Sequence, residues 1–403
     1  MYFFYYLPIG IDAETKRFPL ATAAFSGVCV AMFVINRFFA GDVPVDFRQW
    51  IYFPGYSSVI TALSAAFVHY DYFHIISNLV YLILFGRYLE DRIGTGWFVL
   101  LFVGSAMAGN LAQGWYNLHV LMTTAGIVGA SGAVSGLMGA FLVRLRYHNV
   151  RIAYWIFAPL MATNRAGRVE LHVVFAMALW VLIQVVRGLV QLEGAGANVA
   201  YLTHVAGFSF GLVAMVLTGG WRSGRLEGHV VKARRYLRRG EYYGAQDELA
   251  RYAKACPLDP EAHAALARAS LPCGDRSGAR TAYLRAVENY LKRAQRGKAE
   301  DVYAEALRAF EDFVLDAETQ LELAFGLERN LKPNVALKAY ERFACVYDDH
   351  TEAAFALLRS ANLHARQGHL DRARFAYEQL VVRYPESEWV EFATEHARRL
   401  AVS

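Results

Sequence analysis

Six apolar stretches ahead of position 220 leave a chain like this few ways to fold. They lie near 20–40, 67–88, 97–116, 126–147, 169–190 and 200–220, and each approaches the roughly 20 residues a helix needs to cross a hydrocarbon core of about 30 Å. In that medium every backbone N–H and C=O must be satisfied within the chain, so such stretches become helices. Charge follows the same division. Positions 1–220 hold 12 of the 41 Lys and Arg and 9 of the 36 Asp and Glu, and the rest of the chain holds the other 29 and 27. A single soluble domain is excluded, as is a disordered chain. Cys29, Cys256, Cys273 and Cys345 are too few and too irregularly spaced for a disulfide framework. The net charge of +5 mixes basic and acidic residues in the tail and gives no nucleic-acid footprint.

Lys and Arg in short loops set orientation. Lys16 and Arg17 precede the first stretch, Arg87 and Arg92 follow the second, Arg144, Arg146, Arg151, Arg165 and Arg168 surround the link from fourth to fifth, and Arg222 and Arg225 follow the sixth. The opposite side carries Arg37, Arg48 and Arg187. Both termini are therefore expected in the cytoplasm. The opening MYFFYYLPIG lacks the charged n-region and cleavage site of a signal peptide, so residues 1–19 read as an interfacial cytoplasmic segment. With no organelle-type presequence in view, a bacterial inner membrane is the expected location.

Beyond a linker at 221–226, from about residue 227, amphipathic helices of three to four turns alternate with Gly, Pro, Asp or Asn. Gly240-Glu241-Tyr242 with Ala245 and Leu249 recurs as Gly274 and Ala279, an offset that resembles the period of a tetratricopeptide repeat, about 34 residues. Gly368, Ala373, Tyr377 and Pro385 give another copy, and the step from Ala336 to Ala373 is close to the same period. The much longer step from Ala279 to Ala336 implies one degenerate or differently built unit; a generic helical bundle is the plainer alternative. The expected fold class is all-α: a six-helix membrane bundle over 20–220, then a cytoplasmic helical-repeat solenoid over 227–403. His263, His350, His364, His369 and His396 are expected on solvated faces of that solenoid.

The stretch richest in chemistry is Gly129-Ala130-Ser131-Gly132, continuing as AVSGLMGAF. Small residues at this density let membrane helices approach closely, which is by itself a sufficient reason for Gly132, Gly136 and Gly139. A serine at a helix start is also a common cap. The sixth stretch adds His204 within YLTHVAGFSFGLVAMVL, with Gly207 and Gly211 on the same helical face. An ionisable group inside a membrane is a functional candidate by default, and a smooth glycine face would let its helix reach Ser131. On the second stretch His74 and Asn78 are four apart and share a face, so both can point at one spot. An Asn amide and a His N–H could stabilise a developing oxyanion beside the Ser131 N–H; helix–helix hydrogen bonding is the bland alternative. His69 is read as a structural residue nearer the surface. Acids in the spans are badly placed to orient His204, which favours a dyad oriented by packing.

Taken together, GASG with Ser131, HVAG with His204, the His74 and Asn78 pair and Glu90-Asp91-Arg92 resemble the rhomboid family of intramembrane serine proteases over about residues 20–220. The resemblance implies Ser131 as nucleophile, His204 as general base, an oxyanion hole from Asn78, His74 and the Ser131 backbone, and close packing at Gly129, Gly132, Gly207 and Gly211. It implies no metal and no cofactor. The chain has Ile60-Thr61 where the family often has Trp-Arg, and Ser135 where some members carry an aromatic residue. Expected partners are single-span or other membrane proteins as substrates, the lipid bilayer, and a cytoplasmic protein or peptide docked on the repeats. The competing class is a catalytically silent rhomboid-like protein that binds client helices. The Gly- and Ala-rich stretch from Gly194 to Ala200 is a candidate lid.

Overall fold

A computed structural model describes residues 3–38, 47–56, 58–158, 163–192 and 200–402. They form two compact units, Met1–Lys232 and Ala233–Ser403. The first unit contains α1 (Leu20–Phe38), α2 (Val59–Ser64), α3 (Tyr72–Ile93), α4 (Thr95–His119), α5 (Ser131–Arg144), α6 (Val173–Leu192), α7 (Tyr201–Leu217) and the start of α8 (Gly220–Arg238). Residues 221–226, expected as a linker, lie inside α8.

Four of these helices, α1, α3, α4 and α6, are long and apolar enough to cross a membrane, and α7 joins α8 at a bend of 80°. The shortest of the six expected crossings is α5. It has 14 residues, about 21 Å at the helical rise, and is buried without a break from Gly132 to Phe141. A helix walled in by protein needs no lipid-facing side chains, so glycine and alanine replace the long apolar run.

The chain is mostly helical, consistent with the expected all-α membrane bundle, and adds one small sheet that was not expected. Strands β1 (Phe3–Ile11), β2 (Asn149–Ala158) and β3 (Thr163–His172) form an antiparallel sheet in the order β1-β2-β3. The supposed interfacial segment 1–19 thus contains an edge strand, and the link between the fourth and fifth stretches contains two strands. Phe, Tyr, Trp, Val and Ile dominate β1 and β2, residues that suit a pleated surface. Pro8 donates no ladder bond, and the register shifts between Pro8 and Gly10, as an edge position tolerates. Because β3 runs to His172, α6 begins at Val173, later than the expected start at 169.

Two acidic residues tie the start of α1 to the end of α3. The buried Glu90 carboxylate accepts the N–H groups of Ala21 and Thr22 at 2.8 and 2.9 Å, with the Thr22 and Thr95 hydroxyls at 2.8 and 2.9 Å. Asp91 Oδ1 accepts the N–H groups of Lys16 and Arg17. The N–H groups of a first helical turn have no partner within their own helix, and a carboxylate satisfies them while complementing the helix dipole.

The second unit continues with α9 (Tyr242–Ala255), α10 (Pro260–Ser270), α11 (Arg276–Lys292), α12 (Arg296–Ala309), α13 (Ala317–Arg329), α14 (Pro333–Val346), α15 (Ala353–Arg366), α16 (Leu370–Arg383) and α17 (Val390–Val402). Each packs on the next. Positive φ occurs in this unit at Gly240, Gly274, Ala294, Leu331 and Gly368. Each is followed five positions later by a fully buried alanine, at 245, 279, 299, 336 and 373. From the second copy on, a buried tyrosine stands four further along, at 283, 303, 340 and 377. The long step between Ala279 and Ala336 therefore contains a shortened unit. Its turn lies at Ala294, well short of a full period after Gly274, and α12 carries its Ala299 and Tyr303. His263 and His364 are buried, contrary to the solvated faces expected of them. Their Nε2 atoms meet Pro257 O and Glu341 Oε1, both at 2.9 Å.

Candidate active site

The turn that leads into α5 is fixed from three sides. Gly129 N–H donates to Ala65 O at 2.8 Å, Ala130 N–H reaches His69 Nε2 at 3.4 Å, and Tyr52 pairs with Ile127 in an isolated antiparallel bridge. Asn110 Nδ2 adds a bond to Ala62 O at 2.7 Å. These contacts seat the segment around α2, where Ile60-Thr61 occurs. His69, just ahead of α3, is fully buried in the protein. Gly129 has a φ of +110° and lies against the His74 ring, where a Cβ would come within 2.5 Å of His74 Nε2. A side chain at 129 is thus excluded on both conformational and steric grounds.

Ser131 opens α5, so its N–H belongs to the first turn and has no acceptor within the helix. α5 then runs against α7 at backbone distance. A Cβ on Gly207 would strike Gly132 O, one on Gly211 would strike Gly136 O, and one on Gly139 would strike Phe208 O. On the other flank, a Cβ on Gly109 of α4 would come 2.7 Å from Thr203 O. Small residues on three helices therefore set how closely α4, α5 and α7 approach.

That approach leaves a cavity of about 680 Å³ lined by Ser131, His204 and Asn78, together with Ser135, Trp180 and Gln184. His74 is not among its lining residues and packs instead behind the Gly129 turn. Asp71 caps α3 by accepting His74 N–H at 2.8 Å. Asn78 Nδ2 donates to His74 O at 2.9 Å, which leaves the second N–H of that amide. Ser135 Oγ donates to Ser131 O at 2.6 Å.

His204 is held by side chains outside the expected set. Its Nδ1 lies 2.8 Å from Gln184 Oε1, and its ring sits among Trp180 and Tyr201, with centroids 6.1 and 6.3 Å away. Orientation by packing alone is therefore incomplete. A signal for Gln184 existed, since an amide midway along a largely apolar helix is costly unless it bonds to something. The candidate lid residues 194–199 lie outside the described residues, and Ala200 precedes α7. Among the described residues no cluster of His, Cys, Asp and Glu is arranged to hold a metal ion.

A polar cluster sits at the opposite end of α5. Glu227 of α8 bonds Arg92 Nε at 2.9 Å and Arg144 Nη1 at 2.5 Å, and Arg92 also pairs with Asp91. His148 bridges Asp12 at 2.9 Å and Glu227 at 3.3 Å. Burial opposes charge on both His148 and Glu227, but their partners prevail. The two carboxylates raise the His148 pKa, while His148, Arg144 and Arg92 lower that of Glu227 to about 2.

Residues 56–221 match the family profile described as Rhomboid domain. The chain is 36% identical over 120 residues to Rhomboid protein 1, mitochondrial, of Saccharomyces cerevisiae, covering 28% of this chain and 35% of that protein. It is 29% identical over 134 residues to Rhomboid protease GlpG of Klebsiella pneumoniae, covering 29% and 41%. Against Rhomboid protease GlpG of Serratia proteamaculans it is 27% identical over 204 residues, covering 50% and 63%. The chain thus spans between about a third and two thirds of the length of these curated relatives. The profile and the relatives support a rhomboid family protein, and with its apolar helices the chain is an integral membrane protein.

Proposed function

We propose that the rhomboid domain of this chain is an intramembrane serine endopeptidase, with Ser131 as nucleophile and His204 as general base. The observation that carries the reading is the single cavity lined by Ser131, His204 and Asn78 at the start of α5. An amide oxygen can only accept, so the bond to Gln184 Oε1 requires the proton of a neutral His204 to sit on Nδ1. Nε2 is then the basic nitrogen. It takes the Ser131 hydroxyl proton as Oγ attacks the scissile carbonyl carbon, and the carbonyl oxygen becomes an oxyanion facing the Ser131 N–H and the spare Asn78 N–H. Collapse breaks the C–N bond, and His204 returns the proton to the leaving amine. Water then attacks the acyl-enzyme by the same route and restores the serine. His74 acts as a positioning residue by packing against Gly129.

Substrates would be membrane-anchored proteins whose helices unwind near the membrane face at the start of α5, because a fully bonded helix hides its carbonyls. The alanine- and tyrosine-lined hairpins of the second unit are a tetratricopeptide-like module for docking a protein or peptide. On the loop-charge argument both termini lie in the cytoplasm.

The test is co-expression of the chain with a tagged single-span substrate, alongside its Ser131→Ala and His204→Ala forms. Cleavage and labelling by a serine-directed fluorophosphonate are expected for the unaltered chain and for neither variant. Cleavage that persists in Ser131→Ala would overturn the assignment. An unlabelled, inactive chain, under conditions that label an active relative, would favour a silent protein that binds client helices.

A further inference from the structure

At the end of the bundle away from Ser131, the last turns of α3, α5 and α7 meet the first turns of α4 and α8 around a cavity of about 330 Å³. We propose that this cavity holds an anionic phospholipid of the adjacent leaflet. Its phosphate would sit against Arg92 and Arg144, and one acyl chain would lie along Trp97, Leu101, Phe210 and Met215.

The division of the lining supports this occupant. Arg92 and Arg144 supply its charge, while Trp97, Leu101, Phe210 and Met215 form an apolar wall. Trp97 and its neighbour Leu100 are 60% and 61% exposed, so the wall continues into the lipid-facing surface of α4. Both guanidiniums are already anchored by Glu227, and Arg92 by Asp91 as well. Those bonds fix the two planes but use few of the five N–H donors each carries. A preset pair of forks suits a phosphate.

The geometry of α8 places this cavity at the membrane boundary. α8 departs from α7 at 80°, so with α7 crossing the bilayer, α8 runs along its surface. Gly224 and Gly228 turn toward the end of α5, where a Cβ would meet the Val143 and Arg144 carbonyls or the Tyr147 ring. Arg222 and Arg225 flank this turn of α8, with Arg222 exposed, and Trp221 at the same level is half exposed. Paired tryptophans mark an interfacial belt, and basic residues beside a membrane helix draw anionic headgroups. Inorganic phosphate could satisfy the arginines but would leave the apolar wall uncovered.

The proposal rests on the chain being an integral membrane protein and not on its proteolytic activity, so its test reads binding. Full-length protein in neutral detergent is mixed with phosphatidylglycerol or phosphatidylcholine of identical acyl chains, and retained lipid is counted by native mass spectrometry. Phosphatidylglycerol is expected to be retained at least fivefold better, and millimolar inorganic phosphate to leave it bound. Arg144→Gln should reduce retention about fivefold, the effect of one basic residue near a headgroup. Since that variant also disturbs Glu227, Ala214→Phe supplies a second arm: Ala214 also lines the cavity, so the larger ring fills the wall without altering charge, and should reduce retention as much at an unchanged melting temperature. Equal retention of the two lipids, displacement by inorganic phosphate, or full retention by Ala214→Phe would each overturn the proposal.

Discussion

The two units bury their helices by opposite means. In the first, α5 and α7 meet glycine to carbonyl at a few points of backbone-close approach. In the second, one alanine-tyrosine spacing recurs from turn to turn, with the alanine fully buried every time. A seam that rests on a few backbone-close contacts concentrates its tolerance at single atoms and can hold an asymmetric cavity. A repeated contact spreads the same burial over neighbours and leaves an extended surface. The candidate site lies where tolerance is least.

The largest expected effect tests that contrast directly. Gly211→Ala puts a methyl group onto Gly136 O, and overpacking of this kind costs about 3 kcal/mol. Cleavage should be lost together with a clear fall in melting temperature of the detergent-purified chain. The converse change in the repeats, Ala336→Gly, removes a buried methyl and loosens the helix, for about 1–2 kcal/mol, and should leave cleavage intact. Equal losses of activity would erase the distinction. Next in size is Gln184→Leu, which removes the acceptor facing His204 Nδ1. Turnover is expected to fall on the order of tenfold to a hundredfold, the size of effect seen when the outer partner of a metal-bound histidine is removed. The fall should appear in kcat rather than KM, with Gln184→Glu restoring most of it. An unchanged kcat in Gln184→Leu would mean that packing against Trp180 suffices.

A smaller effect concerns the ionic cluster at the far end of α5. His148 has a raised pKa, so its charged bridge contributes fully below its unfolded value of about 6.5 and is lost as pH rises through the folded value. Glu227 behaves oppositely, contributing above about pH 4.5 and losing that contribution as pH falls toward about 2. Both contributions are complete between those limits. His148→Gln should therefore cost about 1 kcal/mol near pH 5.5, and thermal melts should show the deficit shrinking as the medium becomes alkaline. A deficit that holds constant with pH would assign the effect to packing.

Much of this architecture is legible from residue spacing, and the gaps have physical causes. Apolar runs mark all six long stretches, but a count of apolar residues does not tell a lipid-facing helix from one enclosed by protein, and so the enclosure of α5 is not read. The strands are hidden in the same way. Val150, Ile152, Tyr154 and Ile156 alternate with Arg151, Ala153 and Trp155, yet the segment is short, follows closely on a helix, and pairs on one side with the distant residues Phe3–Ile11. Ser131, His204 and Asn78 are readable because polar groups stand out in apolar spans. Gln184 stands out too, but its partner is on another helix, at a separation that no local period reports. The shortened repeat is obscured because its turn residue is Ala294 rather than glycine.

That last substitution yields the smallest and most specific prediction. Leu331 is 88% exposed and, like Ala294, holds a positive φ where three sister turns have glycine. An L residue in this region bears a penalty of about 1 kcal/mol from its Cβ against the following carbonyl, and glycine removes it while adding some freedom to the unfolded chain. Leu331→Gly is thus expected to stabilise the chain by up to about 0.5–1 kcal/mol, seen as a modest rise in the denaturation midpoint, and Gly274→Ala to destabilise it by a similar amount. Ala294→Gly should behave as Leu331→Gly does, because the same five-residue step leads from each turn to a buried alanine. Were Ala294→Gly instead destabilising, position 294 would not be an equivalent turn. The short segment from Gly274 to Ala294 would then be an insertion between two units rather than a unit in its own right, and the regularity set against the first unit would stop at α11.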